Sequence, residues 1–272
     1  MPDSDKELDR WLLTERWSAL QWCRERNSLG IRGVLDILGG YSRDAVQAAR
    51  SARAYISSAR AIEGQGLKAS FSIKLSTLGV SFDRELCRRK LQDICAAAAP
   101  LRVGIEVDME GKSLVDFYVR SAIEAADEGY PITLAVQAYL DRTPEDLERL
   151  VKRGVRIRLV KGAYLGDTED FVEIQRRVKR LAVRLSTTDS PFSIGTHDPE
   201  IINWAKAQFA GAKGILEFGF LKGLSDETKL SLARDGWVVA EYVPFGKAGR
   251  AYVSRRLRYL RRLEELGRKP AP

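Results

Sequence analysis

The sequence predicts an α/β chain closed into a (β/α)8 barrel of TIM type, distorted, with its last helix near the barrel mouth. Two observations predict it. Short apolar runs recur, each followed by a helical pattern, at about 25–35 residues per step, which suits right-handed βαβ units. The 272 residues carry no composition shift that would mark a second unit of similar size. Eight such steps fill one barrel of about 250 residues, whereas an open doubly wound sheet usually has fewer strands.

Residues 4–27 read as a helix, capped by Asp3 or Ser4, with Leu8, Trp11, Leu12, Leu20 and Trp22 on its apolar face. This gives a division into an N-terminal helix, 1–28, and a barrel, 29–272. The first strand is 31–38, closed by Gly39-Gly40, and Ser42 can cap a helix to about 63. Further strands are expected at 69–75, 103–109, 131–137, 155–161, 191–197, 214–220 and 237–243. Helical patterns lie between them, and the last, about 248–267, mixes apolar residues with many arginines. A helix that basic fits poorly in an outer ring and better over the barrel mouth.

Composition narrows the classes. The apolar runs are too short to span a membrane, and the acidic N-terminus (Asp3, Asp5, Glu7, Asp9) does not resemble a signal peptide. Cys23, Cys87 and Cys95 form an odd set without C-x-x-C, which points to a reducing, cytoplasmic compartment. Cys87 and Cys95 read as inert packing residues. The net charge of +8 is concentrated toward the C-terminus. That end could touch an anionic membrane surface at its inner face, or be a solvated helix end. His197 is the single histidine, so a poly-His metal site is not expected, and the phosphate-binding glycine motifs are absent.

Chemistry is expected at the C-terminal ends of the strands. The polar residues near those ends are Asp36, Lys74, Asp108, Gln137, Arg158 with Lys161, His197, Glu217 and Tyr242. Ser72, Lys74 and Ser76 share one strand face, as do Glu106, Asp108 and Glu110. Inward charges must pair with each other or meet a ligand. Arg158 inside an apolar run can therefore be a ligand contact or a member of an internal salt bridge. In a regular strand Arg158 and Lys161 face opposite sides. Both can serve one ligand only if the strand ends near Val160 and Gly162 turns the chain.

Several segments carry a family resemblance. In order they are Ser72-Ile73-Lys74-Leu75-Ser76, Gln137-Ala138-Tyr139, Arg158-Leu159-Val160-Lys161-Gly162-Ala163-Tyr164, Thr196-His197, Glu217-Phe218, Tyr242-Val243-Pro244-Phe245-Gly246 and Arg255-Arg256-Leu257. From about residue 31 to 260, with the first helix outside, the chain resembles the flavin-dependent proline dehydrogenases. The resemblance implies FAD, with FMN the less favoured flavin. It implies oxidation of L-proline to pyrroline-5-carboxylate and a quinone-type electron acceptor. Carried over by position, Arg158 and Gln137 would contact the flavin ring. Lys161, Gly162, Thr196 and His197 would hold the rest of the cofactor. Arg255 and Arg256 would grip the substrate carboxylate, with Lys74 adding charge. Tyr164, Leu221, Tyr242 and Tyr252 would wall the pyrrolidine ring, and Asp108 would support the polar network. Arg158, Lys74, Asp108 and Tyr242 form the catalytic set.

A guanidinium fork suits a carboxylate, and adjacent helical arginines can approach one anion from different sides. The sequence departs from the family pattern at Gly40, Leu165, Asp198, Gly219, Lys222 and Tyr259; Gly219 stands where a glutamine would face the flavin. The alternatives are a flavin oxidoreductase for hydroxyproline or another cyclic imino acid, a barrel that has lost its flavin, and a non-catalytic basic module. The last finds no nucleic-acid motif, so no nucleic-acid partner is expected.

Overall fold

The computed structural model describes residues 10–188, 190–246 and 249–272. A helix α1 (Arg16–Ser28) precedes eight strands. These are β1 (Ile31–Ile37), β2 (Ala69–Ile73), β3 (Gly104–Val107), β4 (Ile132–Gln137), β5 (Arg156–Val160), β6 (Phe192–Gly195), β7 (Leu216–Leu221) and β8 (Val238–Phe245). They close in sequence order into a parallel barrel, β8 pairing with β1. Each strand is followed by a helix: α2 (Ala45–Gly64), α3 (Arg84–Ala98), α4 (Val115–Asp127), α5 (Thr143–Lys152), α6 (Phe171–Ser186), α7 (Pro199–Gln208), α8 (Asp226–Arg234) and α9 (Arg250–Glu265).

The main core lies between strands and helices. Outward residues such as Leu35, Phe71, Leu134, Leu159 and Phe218 are buried against helix residues such as Tyr55, Leu91 and Tyr118. Burying a large apolar side chain contributes about 1.5–3 kcal/mol, so this ring supplies much of the driving force for closure. The helix α1 belongs to the same core through Ala19, Leu20 and Cys23. It sits close because Gly33 has no side chain; a Cβ there would overlap the Cys23 sulfur. Burial pushes the Cys23, Cys87 and Cys95 thiols up to about 12, as expected of inert packing residues.

Three local expectations change. The expected N-terminal helix is interrupted: Arg10 and Trp11 are helical, residues 12–15 are not, α1 begins at Arg16, and residues 4–9 lie outside the described residues. Leu13 instead bridges to Phe245: its N–H donates to Pro244 O (3.0 Å) and its carbonyl accepts from Gly246 N (2.9 Å). Trp11 and Leu12 join a second apolar cluster with Leu224, Tyr252 and Val253, which seats α9. Ser42 does not cap α2; its hydroxyl donates to Thr77 O (2.6 Å), and Asp44 takes the cap by accepting from Gln47 N (2.8 Å). Beyond β2 and β3 the period-2 pattern lapses. Ser76 falls in a short 3-10 turn, Leu75–Leu78, where its N–H and hydroxyl both donate to Glu110 (3.1 and 2.8 Å).

Candidate active site

The barrel interior is charged rather than aliphatic. At its floor Arg32 donates to both oxygens of Glu217, to Glu106 (2.9 Å) and to Ser70 (2.8 Å). Glu217 is the second residue of β7, level with Ser193 and Val238. It therefore belongs to the floor, where it neutralises Arg32, and not to the strand end where the sequence pattern suggested it. The motif misleads because Glu217 shares an inward face with residues nearer the mouth.

Above the floor the network continues toward the mouth. The Arg158 guanidinium donates to Glu106 (2.6 Å) and to Asp108. The Lys74 ammonium meets Asp36, Asp108 (3.0 Å) and the Tyr242 hydroxyl (3.1 Å), and that hydroxyl donates to Asp108. Arg158 is thus both things the sequence allowed: an internal ion-pair member and a cavity residue. Burial favours neutral groups here, but the opposite charges prevail. Lys74 and Arg158 hold the Asp108 carboxyl well below the usual range, and Arg32 and Arg158 do the same to Glu106. Burial disfavours the Lys74 cation, yet Asp36, Tyr242 and Asp108 raise its pKa well above the ordinary lysine value.

A cavity of ≈ 240 Å³ opens over this network at the C-terminal ends of the strands. Part of its wall has little side chain: Gly195 on β6 and Gly219 on β7 line it as direct cross-strand partners, and Ala135 on β4 and Ala240 on β8 are small. Two neighbouring strands without Cβ atoms make a flat recess suited to a planar ring. Gln137 borders it, buried. The Gln137 Nε2 donates to Glu110 O (3.1 Å), and Oε1 accepts from the Tyr139 hydroxyl (2.6 Å).

On another side lies the loop after β5. The strand ends at Val160, so Lys161 is already past it, and Gly162 has φ +130°, a conformation that L side chains rarely adopt. This resolves the parity problem: Arg158 and Lys161 both line the cavity. The Lys161 ammonium pairs with Asp198, the N-cap of α7, and lies 3.9 Å from the Phe171 ring centroid. Burial lowers the Lys161 pKa despite Asp198. Thr196 and His197 follow β6. His197 Nδ1 is 3.1 Å from Ser225 Oγ, and Nε2 accepts from Leu221 N (3.2 Å). Both ring nitrogens are therefore engaged, so His197 offers the cavity its ring and no free nitrogen. Burial, then the cations Lys229, Arg256 and Lys161, push its pKa down to about 3.

The helix α9 covers the opening, as its mixed pattern suggested. Tyr252, Arg255, Arg256 and Tyr259 line the cavity with Leu221, Tyr242 and the part-exposed Tyr164. Arg256 stacks over the Tyr252 ring at 4.4 Å, and its Nε and the Tyr252 hydroxyl are buried without hydrogen-bond partners. Among the described residues neither Arg255 nor Arg256 has an ion-pair partner, whereas Lys74, Arg158 and Lys161 all do. No cluster of His, Cys, Asp and Glu among the described residues could hold a metal ion.

Sequence reasoning put Glu106 on an inward face without naming the two arginines it joins, and it missed Arg32 and Tyr139 as a structural contact. An arginine as the second residue of a buried strand was the available signal for Arg32.

A family profile described as Proline dehydrogenase matches residues 19–190, starting inside α1 and not at residue 31. Proline dehydrogenase 2 of Bacillus subtilis is 27% identical over 248 residues, covering 88% of this chain and 82% of the relative. Proline dehydrogenase of Deinococcus radiodurans is 30% identical over 267 residues, covering 91% and 86%. The proline utilization A structure from Bdellovibrio bacteriovorus, inactivated by N-propargylglycine, superposes with a TM-score of 0.85 at 20% identity. It is matched over 93% of this chain but only 32% of its own. This chain thus spans about a third of that neighbour, whose likeness supports the barrel alone. A profile matched over more than half of the chain, and a relative 30% identical that is covered over 86% of its length, show that the chain belongs to the proline dehydrogenase family.

Proposed function

We propose that this chain oxidises L-proline to pyrroline-5-carboxylate on a bound flavin, FAD, and passes the electrons to a quinone-type acceptor. The observation that carries the reading is the pair Arg255 and Arg256, which line the cavity and among the described residues have no ion-pair partner, although Glu106, Asp108 and Glu217 line the same cavity. Two uncompensated guanidiniums call for an anion, and a substrate carboxylate provides one. Tyr164, Leu221, Tyr242 and Tyr252 give the apolar ring its walls. Lys74 adds positive potential from behind Tyr242, 5.7 Å from that ring's centroid.

The residues present fit a flavin. Gly195 and Gly219 leave their stretch of the recess wall without side chains, and a Cβ at Gly195 would already approach Val160 Cγ1 to 3.0 Å, which supports a flat group lying against bare backbone there. Gln137 and Arg158 border it, and Lys161, Gly162, Thr196 and the His197 ring extend the wall toward α7. The Lys161 ammonium donates one N–H to Asp198, leaving donors for an anionic part of the cofactor. A flavin held by these residues would supply the acceptor for the hydride that leaves the substrate carbon next to nitrogen. The chain contributes orientation and charge: the arginines fix the carboxylate, the aromatic wall excludes water, and Arg158 stabilises negative charge near the recess. The amine must be neutral to release its lone pair into the new C=N bond, and the nearby cations oppose its protonation.

Residues 29–272 form the catalytic barrel in this reading, with α1 of the N-terminal division 1–28 packed against it. Among the described residues no helix is long and apolar enough to cross a membrane. Arg258, Arg261 and Arg262 are exposed on α9, which supports a cytoplasmic protein touching an anionic membrane surface, where quinones reside. The test is the visible spectrum of the purified protein before and after proline. Bleaching of a flavin band supports the reading; no bleaching by proline, but bleaching by hydroxyproline, would replace it with the cyclic imino acid alternative.

A further inference from the structure

We infer that Tyr139 is a positioning residue that locks the loop 161–167 and the Gln137 amide into one unit, so that the recess and the substrate wall are set together. Tyr139 does not line the cavity; it stands behind it, after β4, and is buried. The loop is wrapped around it. Tyr139 N donates to Lys161 O (3.2 Å), Tyr164 N donates to the Tyr139 hydroxyl (3.0 Å), and Asp167 N donates to Tyr139 O (3.2 Å). The ring lies against Gly162 and Gly166, and a Cβ at either glycine would overlap it. The two glycines of Lys161-Gly162-Ala163-Tyr164-Leu165-Gly166 thus have a shared reason: they make room for one aromatic ring from the neighbouring loop.

The hydroxyl is the joint. It accepts from the Tyr164 backbone and donates to Gln137 Oε1 (2.6 Å). That second bond, with the Nε2 bond to Glu110 O, leaves the Gln137 amide one orientation. One oxygen therefore fixes both the amide at the recess and the start of the segment carrying the Tyr164 wall. Phenylalanine would keep the ring between the glycines and lose the joint.

The inference rests on the proposed proline oxidation for its kinetic arm but not for its structural arm. The test is Tyr139→Phe in the flavin-loaded protein, with limited trypsin cleavage after Lys161 as a second readout. The expected result is a folded variant with a proline KM raised about tenfold, kcat changed less, an altered visible circular dichroism of the flavin and faster cleavage after Lys161. A purely structural role would lower the melting temperature without a KM-against-kcat split. If KM, flavin spectrum and Lys161 cleavage all stay as in the wild type, the inference is overturned. Should Tyr139→Phe not fold, Gly166→Ala pushes a methyl against the ring from a surface loop and must give the same cleavage and KM changes. If the wild type is not reduced by proline, the functional reading fails, and the cleavage comparison still decides the role of Tyr139.

Discussion

Arg158 and Glu106 are joined by a 2.6 Å hydrogen bond inside the barrel, and the other Glu106 oxygen accepts from Arg32 at 2.9 Å. One buried acid thus holds a floor arginine and a mouth arginine. Glu106→Gln keeps the shape but removes the charge, leaving Arg158 with Asp108 and Arg32 with Glu217. Breaking a buried pair by removing one partner costs about 3–5 kcal/mol. Urea denaturation should show a loss near that range, and the flavin environment should shift as Arg158 moves. A variant as stable as the wild type would mean that Asp108 and Glu217 alone suffice.

Arg255→Ala and Arg256→Ala test the anion grip. Neither residue has an ion-pair partner among the described residues, so removing either strands no carboxylate and should cost little stability. Loss of a desolvated charged contact to substrate is about 2–5 kcal/mol, or about 30-fold or more in KM. Steady-state kinetics should show that rise with flavin still bound, and a larger effect for the deeper Arg256, whose Nε is buried without a partner. Unchanged KM in both variants would remove the carboxylate clamp.

Why some of this was legible in the sequence follows from particular residues. The eight strands were readable because each carries buried apolar residues on the face that packs against the helices and lies between helical patterns. Lys161 past the strand was readable from parity and Gly162. Glu217 was misplaced because alternation gives the face of a strand but not the height along the barrel, which the stagger between strands sets. The break before α1 was misread because Leu12 fits a helical stripe, while Leu12 packs in the cluster that seats α9 and the backbone of Leu13 pairs with β8. Nothing local indicated that Tyr139 would fill the space left by two glycines of another loop.

Gly219 offers a substitution with two opposite outcomes. A Cβ there would lie 3.4 Å from Gly195 Cα, an ordinary contact, so a side chain is sterically admissible and would extend into the recess. Gly219→Val should fill the recess with apolar bulk and lower flavin content on gel filtration, with melting temperature little changed. Gly219→Gln would place an amide beside the flavin and should tighten retention by about 0.5–1.5 kcal/mol, a few-fold in Kd. Equal flavin retention in both variants would place the flavin ring elsewhere.

The single histidine gives the chain a pH signature. Leu221 N donates to His197 Nε2, so protonating that nitrogen would set one N–H against another. Burial, then the nearby cations, add to this, and the folded pKa falls to about 3 from the usual 6.5. The unfolded chain therefore binds the proton first. The stabilisation is complete above about 6.5 and is lost as pH falls toward the folded value. Between pH 7 and pH 5 this alone removes about 2 kcal/mol. Asp108 has a depressed pKa as well, but its loss begins only near its unfolded value of about 4. Urea midpoints from pH 7 to pH 5 should therefore fall in the wild type and stay nearly flat in His197→Asn, whose lower stability has no titrating group at that position. A slope retained in the variant would trace the loss to another group.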